Sequence, residues 1–167
     1  MAPSTIPVVA FEMAATDESF FQEASNRVVV DVTVDRPASE VWAELTQDDP
    51  MSSYCRAISS ITWTSARPLG VGATRTTKVL GGLIKLEEGY PLWDEGRRKV
   101  FVGVRTLPPV LRRVAEEYLV EPIDAGRCRF RWTAVWEPTP LGRPTGFVGQ
   151  AVFASIARDI ERHFGAS

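Results

Sequence analysis

Two glutamates draw attention because strand alternation puts them among apolar side chains. In the stretch 84–92, Ile84, Leu86, Tyr90 and Leu92 alternate with Lys85, Glu87, Gly89 and Pro91, and Glu88 falls on the apolar side. Alternation of period two defines one face of a strand. Glu116 is placed similarly by its pairing with an apolar strand further on. A carboxylate on such a face can act as a general acid or base toward a bound molecule, or it can pair with a cation inside the core. Arg75 and Arg105 are the candidate cations, and either guanidinium would also stabilise a developing enolate. Tyr90 is a third candidate for proton transfer. No Gly-x-Ser-x-Gly motif and no metal-ligand spacing occurs, so no metal, no cofactor and no assigned catalytic residue follow. His163 is the single histidine and lies in the last turn of a terminal helix, where a cation suits the helix dipole. It reads as structural, with Asp159 four residues earlier as its partner.

Turn chemistry turns this alternation into a site. Gly81-Gly82 reads as a two-residue hairpin loop, which sets Val79 opposite Ile84, Thr77 opposite Leu86 and Arg75 opposite Glu88. A Glu95-Gly96 turn sets Tyr90 opposite Phe101 and Glu88 opposite Gly103, with Arg105 diagonal to Glu88. A glycine facing a carboxylate leaves room for water or a ligand. A three-residue loop Asp124-Ala125-Gly126, with Gly126 left-handed, pairs Tyr118 with Trp132 and Glu116 with Ala134. The expected pocket has walls of Tyr90, Phe101, Tyr118, Trp132 and Trp136, and polar points at Arg75, Glu88, Arg105 and Glu116. Trp132 and Trp136 serve equally well as plain core. A mostly apolar site with a few convergent polar groups suits a small amphipathic ligand. The stripe Arg127, Arg129 and Arg131 belongs to the solvated outer face.

The elements that must position these residues follow from pattern. Residues 27–34 (RVVVDVTV) read as a strand. Asp35 then caps a short helix with Pro37 in its first turn and Val41, Trp42 and Leu45 on its apolar edge. A second short helix is expected over 51–57. Strands follow over 58–65, 73–80, 83–93, 98–107, 113–123 and 127–137. Residues 145–164 form the only long helical pattern, with Phe153, Ile156, Ala157, Ile160 and Phe164 on one face. Its first half, from Phe147 to Ala154, is apolar nearly all round and is expected to be buried on several sides. The class is α+β: a curved antiparallel sheet of about seven strands around a C-terminal helix.

Composition agrees with one domain. The chain has 167 residues, 44% of them hydrophobic and 24% charged, and a net charge of −2. That balance argues against nucleic acid as a partner. No run reaches the ~20 apolar residues of a membrane span, and residues 1–10 lack a signal-peptide pattern. Cys55 and Cys128 fit free thiols in a reducing, cytoplasmic setting. Residues 1–25 form an arm, with Phe11, Met13, Phe20 and Phe21 to dock it or else a partly ordered tail. Residues 26–167 form the ligand-binding domain. Nothing in the sequence speaks to oligomeric state.

Strand followed by Pro-Ala-Ser-Glu-Val-Trp, in VVVDVTVDRPASEVWAELTQ, resembles the entry to the START-related helix-grip superfamily (SRPBCC), in its polyketide cyclase/dehydratase and lipid-transport branch. LGVGATRTTKV, YPLWDEGRRKVFVGV and the terminal helix extend the resemblance over residues 26–165. It implies a helix-grip fold that binds a hydrophobic small molecule, lipid or polyketide-like, between sheet and helix. An alternative is a cyclase, aromatase or dehydratase using pocket Glu, Tyr and Arg side chains. A second is a protein-interaction domain acting through the loop 107–113, whose Val110 and Leu111 read as exposed or as a lid.

Overall fold

A computed structural model describes residues 10–165. Its elements are β1 (Phe11–Glu12), α1 (Phe20–Glu23), β2 (Asn26–Val34), α2 (Ala38–Leu45), β3 (Ile58–Trp63), β4 (Thr74–Val79), β5 (Ile84–Asp94), β6 (Arg98–Leu107), β7 (Leu111–Pro122), β8 (Cys128–Pro138) and α3 (Gly146–Phe164). A 3-10 turn, Arg143–Thr145, leads into α3. The sheet is antiparallel, in the order β2-β8-β7-β6-β5-β4-β3, with β1 added on β6. It curls around α3, giving a helix-grip α+β fold. The expected part of residues 1–9 lies outside the described residues.

The apolar stripe of α3 is buried as its spacing requires: Phe153, Ile156, Ala157, Ile160 and Phe164 all lie against the sheet. The first half of the helix is different. Phe147 is 70% exposed, and Gln150 and Ala151 are exposed too. This half covers the edge of a cavity, so only one of its sides meets protein.

Local expectations are corrected at four places. Residues 51–57 form turns rather than a second helix, although Cys55 N–H reaches the Met51 carbonyl. Pro37, not Asp35, occupies the N-cap of α2, and no side chain caps that helix. Gly126 is not left-handed, yet the pairing expected of its loop is present, with Tyr118 opposite Trp132 and Glu116 opposite Ala134. Asp159 pairs not with His163 but with Arg56 and Arg162, and it also accepts the Arg56 backbone N–H. It thereby ties the 51–57 turns to α3. His163 instead stacks on Tyr54, with ring centroids 3.8 Å apart, and meets Glu44 of α2.

The arm crosses the sheet's seam. β6 and β7 pair only from Arg98 with Leu119 to Val102 with Ala115, and then part. Beyond that point β1 pairs with β6 at Thr106 and Arg105. Met13 N–H bonds Val104 O, and Ala14 N–H bonds Arg112 O of β7. Further along, Phe20 is buried on the convex face against Ala115 and Val135.

Candidate functional site

The concave face and the first half of α3 enclose a cavity of about 120 Å³. Its walls are mostly apolar: Met51, Ile58 and Ile61 on one side, Val79, Ile84 and Leu86 on another, and Trp136, Phe153 and Ile156 across from them. Small residues on α3 leave this space, since a side chain at Gly146 would meet nothing and one at Gly149 only Trp136. Val110 and Leu111 are half-buried and line the cavity, so the loop 107–111 is part of its wall rather than a free surface. That loop lies directly on Gly142, where a Cβ would come within 2.2 Å of the Val110 carbonyl oxygen.

Besides the hydroxyls of Thr77 and Thr145, two charged groups interrupt the apolar lining. The first is the Arg75–Glu88 pair, each residue 2% exposed, with Arg75 Nε donating to Glu88 Oε2. Register explains it: Arg75 stands opposite Glu88 across β4 and β5, as the Gly81-Gly82 loop requires. The guanidinium carbon lies 4.8 Å from the Phe101 ring centroid and 5.4 Å from that of Tyr90, within cation–π range. Burial alone would lower the Arg75 pKa, but Glu88, together with Tyr90 and Tyr118, more than offsets it and holds the group above its ordinary value. Burial pushes the Glu88 carboxyl upward while Arg75 pulls it back. Arg75 Nη1 is buried with no hydrogen-bond acceptor. The second charged group is Glu116, whose Oε2 accepts from Tyr118 OH at 2.7 Å and Trp132 Nε1 at 2.8 Å. Burial, reinforced by the Glu88 charge, raises this carboxyl to about 7.

A family profile described as "Polyketide cyclase / dehydrase and lipid transport" matches residues 25–164. The chain belongs to this family. Uncharacterised proteins of Mycobacterium tuberculosis and Mycobacterium bovis are 33% identical to it over 95 residues, 57% of this chain. The alignment spans 56% of their length, so the chain matches about half of these relatives. Zhui aromatase/cyclase from a Streptomyces species superposes with a TM-score of 0.60 at 15% identity, covering 84% of this chain and 99% of that one. A START superfamily protein of Mycobacterium smegmatis gives 0.60 at 9%, covering 81% and 97%. Norcoclaurine synthase from Thalictrum flavum gives 0.55 at 12%, covering 92% and 97%. At these identities the structural likeness concerns the fold.

In this member of the polyketide cyclase / dehydrase and lipid transport family, the residues singled out from sequence divide into three groups. Arg75, Glu88, Glu116, Tyr118 and Trp136 line the cavity. Tyr90, Phe101 and Trp132 are buried behind that lining, where they hold the guanidinium and the Glu116 carboxyl in place. Arg105 lies outside: its side chain is half exposed and bonds Glu87 at 2.6 Å. The cause is a pair of register shifts. The Asp94–Arg98 closure leaves a three-residue loop instead of the expected two. One shift between Gly89 and Leu92 restores Glu88 opposite Gly103, and a second between Glu87 and Glu88 turns Arg105 outward. The space expected beside Gly103 is also filled, because a Cβ there would fall 2.6 Å from the Met13 sulfur and 2.6 Å from Val114.

Lys99 is the residue sequence reasoning missed. It is fully buried, donates to the Leu45 carbonyl at the end of α2, and has its ammonium 4.9 Å from the Tyr118 ring centroid and 5.3 Å from that of Trp93. Burial, then repulsion from Arg75, drives its pKa well below the lysine range. The signal was its parity, since Lys99 and Phe101 alternate onto the same face. Arg129 and Arg131 grip Asp31 on the convex face, as an outer stripe should.

Proposed function

We propose that the chain binds a small molecule with an apolar body and one oxygen-bearing end, seated between the sheet and the first half of α3. The observation that carries this reading is Arg75 Nη1, a buried donor without an acceptor in the wall of a mostly apolar cavity. Such an unmet group costs about 1–3 kcal/mol, which a ligand oxygen would recover. Arg75, Glu88, Glu116 and Tyr118 form the polar end of the site, with Tyr90, Phe101 and Trp132 as their support. The volume limits the ligand. About 120 Å³ is of the order of a cavity that holds a single benzene ring, roughly 150 Å³. A longer lipid or polyketide-like molecule would extend past the exposed start of α3. The family's description, with cyclases, dehydrases and lipid transport, is consistent with ligands of this kind.

The test uses acetophenone and ethylbenzene, single-ring molecules that differ in one carbonyl oxygen. The wild-type protein should prefer the ketone, and Arg75→Gln should lower ketone affinity at least ~10-fold while leaving the hydrocarbon nearly unchanged. Equal losses for both, or no binding of either, would refute the reading.

Glu116 favours a second reading, an enzyme of cyclase or dehydratase type. One carboxylate oxygen is held by two neutral donors, the group lines the cavity, and its pKa near 7 suits a general base. Its carboxylate would take a proton from the carbon beside a ligand carbonyl, leaving an enolate whose oxygen accepts from Arg75 Nη1. Return of a solvent-derived proton completes exchange. Nuclear magnetic resonance would detect deuterium entering the acetyl methyl group of acetophenone in heavy water. On this reading Glu116→Gln binds the ketone normally and abolishes exchange above the buffer rate.

A further inference from the structure

The seam between β6 and β7 is a break in the wall of the grip. The two strands stop pairing after Val102 and Ala115, while β6 runs on to Leu107 and β7 begins at Leu111. On the β6 side of the opening stands Gly103, whose partner on the neighbouring β5 is Glu88, and on the β7 side Leu111 and Glu116 belong, like Glu88, to the cavity lining. What fills the opening is the arm. Its backbone bonds β6 through Met13 N–H to Val104 O at 2.9 Å, and β7 through Ala14 N–H to Arg112 O at 3.0 Å. The Met13 side chain turns inward, covers Gly103 and Val114, and packs on the main core.

The arm is held unevenly. Phe20 is 1% exposed, lies under the Arg113 guanidinium at 4.2 Å, and is flanked by the Arg98–Glu18 and Arg113–Glu23 pairs. By contrast β1 has two ladder positions, Phe11 is 40% exposed and Glu12 is exposed. Segments with few buried contacts and exposed backbone bonds open locally at little cost. Release of residues 11–14 therefore leaves α1 anchored and uncovers the seam.

We infer that the β6–β7 seam is a side entrance to the cavity and that residues 11–14, with Met13 as the plug, are its removable stopper. This rests on the ligand-binding reading above. The entrance opens beside the buried Arg75–Glu88 pair, at the polar end of the site. A ligand entering here would meet that end first, whereas one passing α3 would meet the apolar walls.

The experiment measures association and dissociation of acetophenone by stopped-flow tryptophan fluorescence. Three forms are compared with wild type: a truncation beginning at Ala15, Met13→Ala, and the double variant Glu12→Cys with Arg105→Cys. Glu12 and Arg105 are partners in the β1–β6 register, and directly paired strand positions suit a disulfide. The truncation should raise both rates at least ~10-fold with little change in Kd, Met13→Ala should lie between, and the oxidised double variant should be slower than its reduced form. Rates unaltered by both truncation and locking would overturn the entrance. If no form binds the ketone, the ligand-binding reading fails by itself, and hydrogen exchange then decides the arm. Met13 and Ala14 amides exchanging much faster than those of Val100 and Val102 support an opening seam, and equal protection refutes it.

Discussion

Glu88, Glu116 and Lys99 are three buried ionisable groups whose costs differ in kind. Glu88 is matched by Arg75, so Glu88→Gln leaves a guanidinium without its counter-charge and should destabilise the fold by about 3–5 kcal/mol, measured by urea denaturation. Glu116 has neutral partners, and its folded pKa near 7 exceeds the ordinary 4.5. The folded protein thus retains a proton that the unfolded chain releases between these values. That stabilisation is complete below pH 4.5 and is lost as pH rises through 7, a total of about 3 kcal/mol. Wild-type stability relative to Glu116→Gln should fall by this order between pH 4.5 and 7.5. Lys99 has the opposite sign. Its depressed pKa means that the unfolded chain binds the proton more tightly, so wild type should gain stability relative to Lys99→Met as pH rises toward 10.5. Matching urea midpoints for the two at every alkaline pH would contradict the buried, discharged lysine.

At the scale of elements, α3 does two tasks along its length. Its second half fills the grip with Ile156, Ile160 and Phe164, and is tied to α2 and the 51–57 turns through His163 and Asp159. Ile160 is fully buried, so Ile160→Ala should cost about 2–5 kcal/mol. Its first half leaves Phe147 in solvent and places Gly146 and Gly149 over the cavity. A substitution of similar size at Phe147 should change stability by less than about 0.5 kcal/mol. Thermal unfolding of the two variants would separate these roles, and equal losses would remove the distinction.

For the whole molecule, the curled sheet has a concave face with one major occupant. Val30, Val34, Phe130 and Trp132 are buried on that face, and without α3 much of this surface would meet water. A chain ending before Thr145 should therefore aggregate or populate a molten state with retained far-ultraviolet and lost near-ultraviolet circular dichroism. A monomeric fragment that unfolds cooperatively would show that the sheet stands without its helix. Among the described residues no helix is long and apolar enough to cross a membrane.

Much of the site was legible because its signals are local. Alternation along β5 and β8, the glycines of the β4–β5 hairpin and the 3.6-residue stripe of α3 depend on neighbours a few positions apart. They put Arg75 opposite Glu88, Tyr118 opposite Trp132, and Ile156 and Ile160 in the core. The Glu88–Gly103 pairing was reached although the turn had one residue more than expected, because a register shift further along cancelled the difference. Bulges have no such local mark, since they arise where a sheet must bend, and the second one turned Arg105 outward. Tertiary structure alone decided the rest. It brought Met13 onto Gly103 across some 90 positions of chain, closed an aromatic cage on Lys99 with Trp42, Trp63, Trp93 and Tyr118 from four separate elements, and left unfilled the space beneath Gly146 and Gly149. A cavity is the volume that packing fails to fill, and it exists only when all of its walls are in place.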